Sequence, residues 1–98
     1  MTLDEFKRSL GNAAPPSGLT PVLAALWHDG KGDWEAAHRI AQDVDDENGA
    51  WVHAYLHRKE EDASNASYWY RRAGRPHARA PLDEEWAEIV TALLKRDY

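Results

Sequence analysis

The sequence predicts an all-α fold, and three observations carry that expectation. Residues that start helices recur along the chain, each followed by apolar residues at helical spacing. Alternating runs of β-branched residues, the mark of strands, are missing. A segment also occurs twice. Asp33 and Asp62 lie 29 residues apart, and aligning them sets Leu26-Trp27-His28 against Tyr55-Leu56-His57, Ala25 against Ala54 and Ala37 against Ala66. A repeat of that size is one supersecondary unit, here a helical hairpin that hides its apolar face only by stacking on a neighbour. The expected architecture is two antiparallel helical hairpins, residues 20–45 and 46–74, flanked by an N-terminal helix and a C-terminal capping helix over 82–98. Residues 1–98 are expected to form one compact domain.

Thr2 and Glu5 have capping-box spacing and open a short amphipathic helix with Leu3, Phe6 and Leu10 on one side. Gly11 ends it, and residues 12–18 form a linker, because consecutive prolines and a glycine do not sustain a helix. Thr20-Pro21 sets a capping hydroxyl before a proline at the first helical position, and the Gly30-Lys31-Gly32 turn closes that helix. Asp33 caps the next one, with Ala37, Ile40, Ala41 and Val44 at helical spacing. The acidic run Asp43 to Glu47 leads into a helix from about Glu47 to Glu60. Trp51, Val52, Ala54, Tyr55 and Leu56 cover more than half of its circumference, so it is the expected central, most buried helix. Asp62 caps a partner that carries Ala63, Ala66, Trp69, Tyr70 and Ala73 on one side and ends near Gly74. After a second linker over 75–81, Asp83 caps a final helix with Trp86, Ile89, Val90 and Leu93 in one seam. Its acids Glu84, Glu85 and Glu88 near the start, and Lys95 and Arg96 near the end, suit the helix macrodipole.

A chain of 98 residues removes only roughly 60 to 70% of its unfolded surface from water, so five Trp, four Tyr and one Phe must build a dense core. Trp34, Trp51, Trp69 and Trp86 fall on apolar faces and read as core. Trp27 sits on a short helix and becomes an exposed anchor for a second subunit if one side of that helix lacks cover. The absence of cysteine removes disulfides, thiolate zinc ligands and cysteine nucleophiles together. The net charge of −5 comes with basic pairs dispersed near helix ends rather than in a stripe, so nucleic acid is not an expected partner. The first residues are too acidic for a signal peptide and no apolar run approaches membrane-spanning length. A soluble cytoplasmic protein with no membrane contact is the expectation.

Lys31-Gly32-Asp33-Trp34-Glu35-Ala36-Ala37 resembles the middle of a tetratricopeptide repeat, where a Gly-Asp-aromatic turn leads into a second helix with a small residue three positions on. Ala66-Ser67-Tyr68-Trp69-Tyr70-Arg71-Arg72-Ala73 is similar to the alanine, tryptophan-tyrosine and basic-alanine pattern of the related Sel-like repeats. The resemblance covers about residues 20–74 and implies a right-handed helical-repeat bundle that works by binding protein. The period is shorter than the usual one of roughly 34 residues, and the first helix of each unit lacks the family's ordered tryptophan, leucine, glycine and tyrosine positions. The family register puts His28, His53 and His57 on the face inside the hairpin, whereas local periodicity puts His53, His57 and Glu60 on a narrow polar strip.

No nucleophile elbow, phosphate-cradling glycine loop or isolated acid pair occurs, so neither an enzyme nor a cofactor is expected. The leading expectation is a non-catalytic protein–protein interaction module that engages a protein partner or its own copy. Tyr68 and Arg72 lie one turn apart opposite Trp69, a pairing enriched at interfaces. Arg58 and Lys59, inside the apolar arc of the central helix, mark where that helix leaves the core and meets solvent or a partner. Basic side chains snorkelling along apolar surface explain that placement equally well. Trp27 completes the set. The alternative is a metal- or small-ligand-binding bundle. His53 and His57 at i, i+4 share one helical face, and His28 holds the repeat position of His57. Glu35 with His38 has the Glu-x-x-His spacing of carboxylate metal sites.

Overall fold

A computed structural model describes residues 1–96, which form six helices and no strand. They are α1 (Leu3–Ser9), α2 (Pro21–Gly30), α3 (Trp34–Gln42), α4 (Glu47–Lys59), α5 (Ala63–Ala73) and α6 (Leu82–Arg96). The last two positions of the helix expected over 82–98, and the side chain of Arg96, lie outside the described residues. None of the described helices is long and apolar enough to cross a membrane.

Side chains that take orphan backbone N–H groups set most helix starts. Thr2 and Glu5 make both halves of the capping box, at 3.1 and 2.9 Å. Asp33, Asp46 and Asp62 accept from the backbone N–H groups of Ala36, Gly49 and Asn65. Two starts differ from expectation. Thr20 has N-cap backbone geometry, but its hydroxyl is buried with no hydrogen-bond partner among the described residues. Helix α6 begins at Leu82, so Asp83 lies in its first turn and accepts from the N–H of Glu84 instead of capping the helix.

The core gathers around α4, which packs most extensively on α5 and also touches α2, α3 and α6. Every residue from Gly49 to His57 is buried. Helix α2 packs chiefly on α3. Ala37 and Ala66 are fully buried, and a larger side chain at either place would hold the paired helices apart. Phe6 of α1 meets Trp86 of α6 at 5.8 Å and ties the two ends of the described chain together. Gly49 is required for close approach, since a Cβ there would stand 2.0 Å from the carbonyl oxygen of Val44. The radius of gyration, 12.3 Å, agrees with the about 13 Å of a folded domain this long.

Two carboxylates are locked in this core against α4. Asp29 of α2 accepts from the Lys59 ammonium at 2.9 Å and the Tyr55 hydroxyl at 3.0 Å. Glu85 of α6 accepts from Arg58 at 2.7 Å and the Tyr70 hydroxyl at 2.5 Å, and Arg58 also donates to the carbonyl of Ala80. A buried carboxylate without such partners costs several kcal/mol. Burial first, and then the adjoining carboxylate, raises the pKa of both phenols and keeps them as donors.

This packing revises two side chains singled out as partner contacts. Trp27 is 2% exposed and its indole N–H donates to Ser9 at 3.1 Å, so it offers no exposed anchor. The cover comes from the end of α1, where Lys31 also holds the carbonyls of Leu10 and Asn12. Arg58 directs its guanidinium inward to Glu85 and Ala80, which fastens the 75–81 linker and α6 to α4 and leaves that charge paired within the chain.

Candidate metal centre

His53 and His57, one turn apart on α4, are 6% and 8% exposed, and His38 of α3 meets them from the neighbouring helix. One ring nitrogen from each lies within 4.8 Å of the other two. The Nε2 atoms of His38 and His53 are 2.9 Å apart, a hydrogen bond in which one ring donates and the other accepts. The rings of His53 and His57 stack at 4.7 Å, with that of His38 edge-on to both.

Two half-buried tryptophans wall the cluster. Trp34 stacks on His38 at 4.8 Å and 9°, and its N–H donates to the Leu56 carbonyl at 2.9 Å. Trp69 of α5 stacks on His53 at 4.0 Å and 17°. The i, i+4 spacing places each of Trp34–His38 and His53–His57 on one helical face, and α4 sets them together by packing on both α3 and α5.

Burial, followed by the proximity of His38 and His57, depresses the His53 pKa to about 4. Burial and then His57 lower that of His38 as well, against a smaller opposing influence of Glu60. Both rings are therefore neutral near pH 7, each with a nitrogen lone pair. Glu60 lies 3.3 Å from Nδ1 of His57 and accepts its proton when that nitrogen carries it, which leaves the lone pair of His57 on Nε2. His57, Glu60 and Asp62 also place one donor atom each within 4.8 Å of one another, although both oxygens of Asp62 accept from Asn65 at the start of α5.

The cluster differs from the set expected as metal ligands. His53 and His57 belong to it, and His28 does not: its ring lies edge-on to Trp27 at 5.2 Å, outside the group. His38 takes the third place, while Glu35, three residues before it, is exposed and apart. Trp34 and Trp69, read as core, are the walls of the site. The spacing that could have found His38 is the aromatic pair Trp34–His38 at i, i+4, which matches His53–His57 on the next helix.

Of the residues expected to contact a partner, Tyr68 is 44% exposed and Arg72 stands beside it. The Arg72 guanidinium lies 5.3 Å from the Trp69 ring centre, with the carboxylate of Asp45 at 3.6 Å. The fifth histidine, His77, pairs with Ser67 at 2.9 Å and holds the 75–81 segment to α5.

No protein-family model matches the chain, and comparison with curated proteins and with solved structures finds no match to either.

Proposed function

We propose that this protein binds a divalent transition metal of the zinc class through His38, His53 and His57. The observation that supports the reading above all is the convergence of three imidazole nitrogens from two helices within 4.8 Å. A tetrahedral ion with metal–nitrogen bonds of about 2.0–2.1 Å sets its ligand nitrogens about 3.3–3.4 Å apart. That spacing lies between the 2.9 Å of the His38–His53 pair and the 4.8 Å limit of the group, within reach of small ring rotations. Imidazole suits zinc, copper and nickel, and neutral rings need lose no proton to bind them. Glu60 is placed to orient His57 as the carboxylate behind a metal-bound histidine. Three protein nitrogens leave a fourth position for water.

Calorimetric titration with Zn²⁺ is the test. One ion per chain is expected for the unaltered protein, with loss of binding in His38→Ala and in His53→Ala. Full binding by His53→Ala, or no heat from the unaltered protein, would reject the site.

A second reading, an interaction module for a protein partner or a second copy, draws on the exposure of Tyr68 beside Arg72. Loss of a captured partner in a folded Tyr68→Ala/Arg72→Ala variant is its expected result. We also read α2–α3 and α4–α5 as tetratricopeptide-like hairpins. The support is local: the Asp33 and Asp62 caps have φ/ψ of −104/77 and −101/79 degrees.

A further inference from the structure

We infer that the cleft between the end of α1, the C-terminal ends of α2 and α4, and the start of α6 binds a small amphipathic carboxylate. It is open to solvent, has a volume of about 380 Å³ and shares no residue with the histidine cluster. That volume lies within the range of small-molecule sites, which are mostly apolar with a few convergent polar groups.

The apolar surface comes from Leu10, Leu82 and Trp86. Gly30 brings the end of α2 close to this wall: a Cβ there would stand 3.0 Å from the Leu10 methyls and 3.2 Å from the Trp86 ring. The polar groups are two ammoniums, two carboxylates and the Tyr55 hydroxyl, which donates to Asp29. Lys59 gives one of its three ammonium hydrogens to Asp29 and keeps two. Lys7 is exposed and makes no hydrogen bond or ion pair through its ammonium among the described residues. The acids lining the cleft are differently placed. Asp29 already accepts from Lys59 and Tyr55, and Asp83 is exposed, with one oxygen on the N–H of Glu84. Spare N–H donors beside an apolar wall complement an anion on a hydrocarbon body. The carboxylate bonds to Lys7 and Lys59, and the body lies on Leu10, Leu82 and Trp86.

Titration of octanoate into ¹⁵N-labelled protein, followed by amide shifts, tests this, with 1-octanol as the neutral control. Expected are shifts centred on Leu10, Gly30, Leu82 and the Trp86 indole, with octanoate binding at least about tenfold more tightly than octanol, the gain of a hydrogen bond to a charged group. Lys7→Gln changes an exposed side chain, so it keeps the fold; it should weaken octanoate several-fold and leave octanol unchanged. Octanol binding as tightly as octanoate, insensitivity to Lys7→Gln, or no shifts in the cleft at millimolar octanoate would each overturn the inference. His53→Ala should leave octanoate binding intact, which separates this site from the proposed metal centre.

Discussion

The turns at residues 28–33 and 57–62 share a backbone but differ in surroundings. In the first, the carbonyl of His28 accepts from the N–H of Asp33 at 2.9 Å, and in the second His57 and Asp62 do the same at 2.9 Å. Both aspartates cap the following helix through the N–H three residues on. The position before each aspartate has positive φ, held by Gly32 at 88° and by Glu61 at 64°. Yet His57 is buried among His38, His53 and Trp34, whereas His28 is half-buried against Trp27. The difference is the place of the parent helix. Helix α4 packs on both α3 and α5 and meets an imidazole and two indoles across those seams; α2 packs chiefly on α3. The two turns thus match in backbone hydrogen bonds, while the neighbours of a side chain depend on where its helix lies in the core.

The largest effect expected from that comparison is metal-dependent. At about a thousandfold excess over its Kd, Zn²⁺ should stabilise the fold by about 4 kcal/mol, a rise in Tm of roughly 15 °C or more. His57→Ala should abolish the rise and His28→Ala should preserve it, as read by scanning calorimetry. An equal response from the two variants would mean that their different surroundings have no bearing on metal.

A smaller effect, of order ~3 kcal/mol, comes from protons in the metal-free protein. His53 is depressed to about 4 from an ordinary 6.5, first by burial and then by His38 and His57. Between those values the unfolded chain holds a proton that the folded ring does not, so acid favours unfolding. The contribution to stability is complete above pH 6.5 and disappears as pH falls to about 4, and the lowered pKa of His38 acts in the same direction. Urea unfolding across this window should show stability falling with pH and a smaller slope for His53→Gln. An unaltered slope in His53→Gln would assign the titration to another group.

The shared features of the two turns should respond alike. Asp33→Ala and Asp62→Ala each remove a helix cap and should each cost about 1 kcal/mol in chemical unfolding. A difference well beyond that amount would show that matching geometry hides different energetics. The smallest effect concerns the residue with positive φ. Glu61→Gly should stabilise by roughly 0.5–1 kcal/mol, because glycine adopts this conformation without Cβ strain, and Gly32→Ala should destabilise by a similar amount. A destabilised Glu61→Gly would mean that the Glu61 side chain contributes more than its backbone strain costs.

Much of this fold was legible because its determinants are local. The Thr2–Glu5 box and the Asp33 and Asp62 caps each involve residues three apart, and each forms. The broad apolar arc of α4 identified the helix now found at the centre. The start of α6 was less legible, since Asp83 is a stronger capping signal than the Pro81-Leu82 sequence that precedes it. Trp27 was open to misreading because its partner, Ser9, lies 18 residues away across a proline-containing linker.

The histidines divide along the same line. That His53 and His57 share a face follows from 3.6 residues per turn, and the sequence alone determined it. The sequence alone likewise determined the helical class, the Thr2, Asp33 and Asp62 caps and the absence of thiolate ligands, since each depends on residue type and short spacing. Only the tertiary structure decided that His38, and not His28 or Glu35, joins that pair. It also decided that Trp34 and Trp69 wall the cluster and that Arg58 turns inward. The reason is physical: helical periodicity sets the angle of a side chain about its own axis, but which helix lies opposite, and at what rotation, is settled by packing over the whole core.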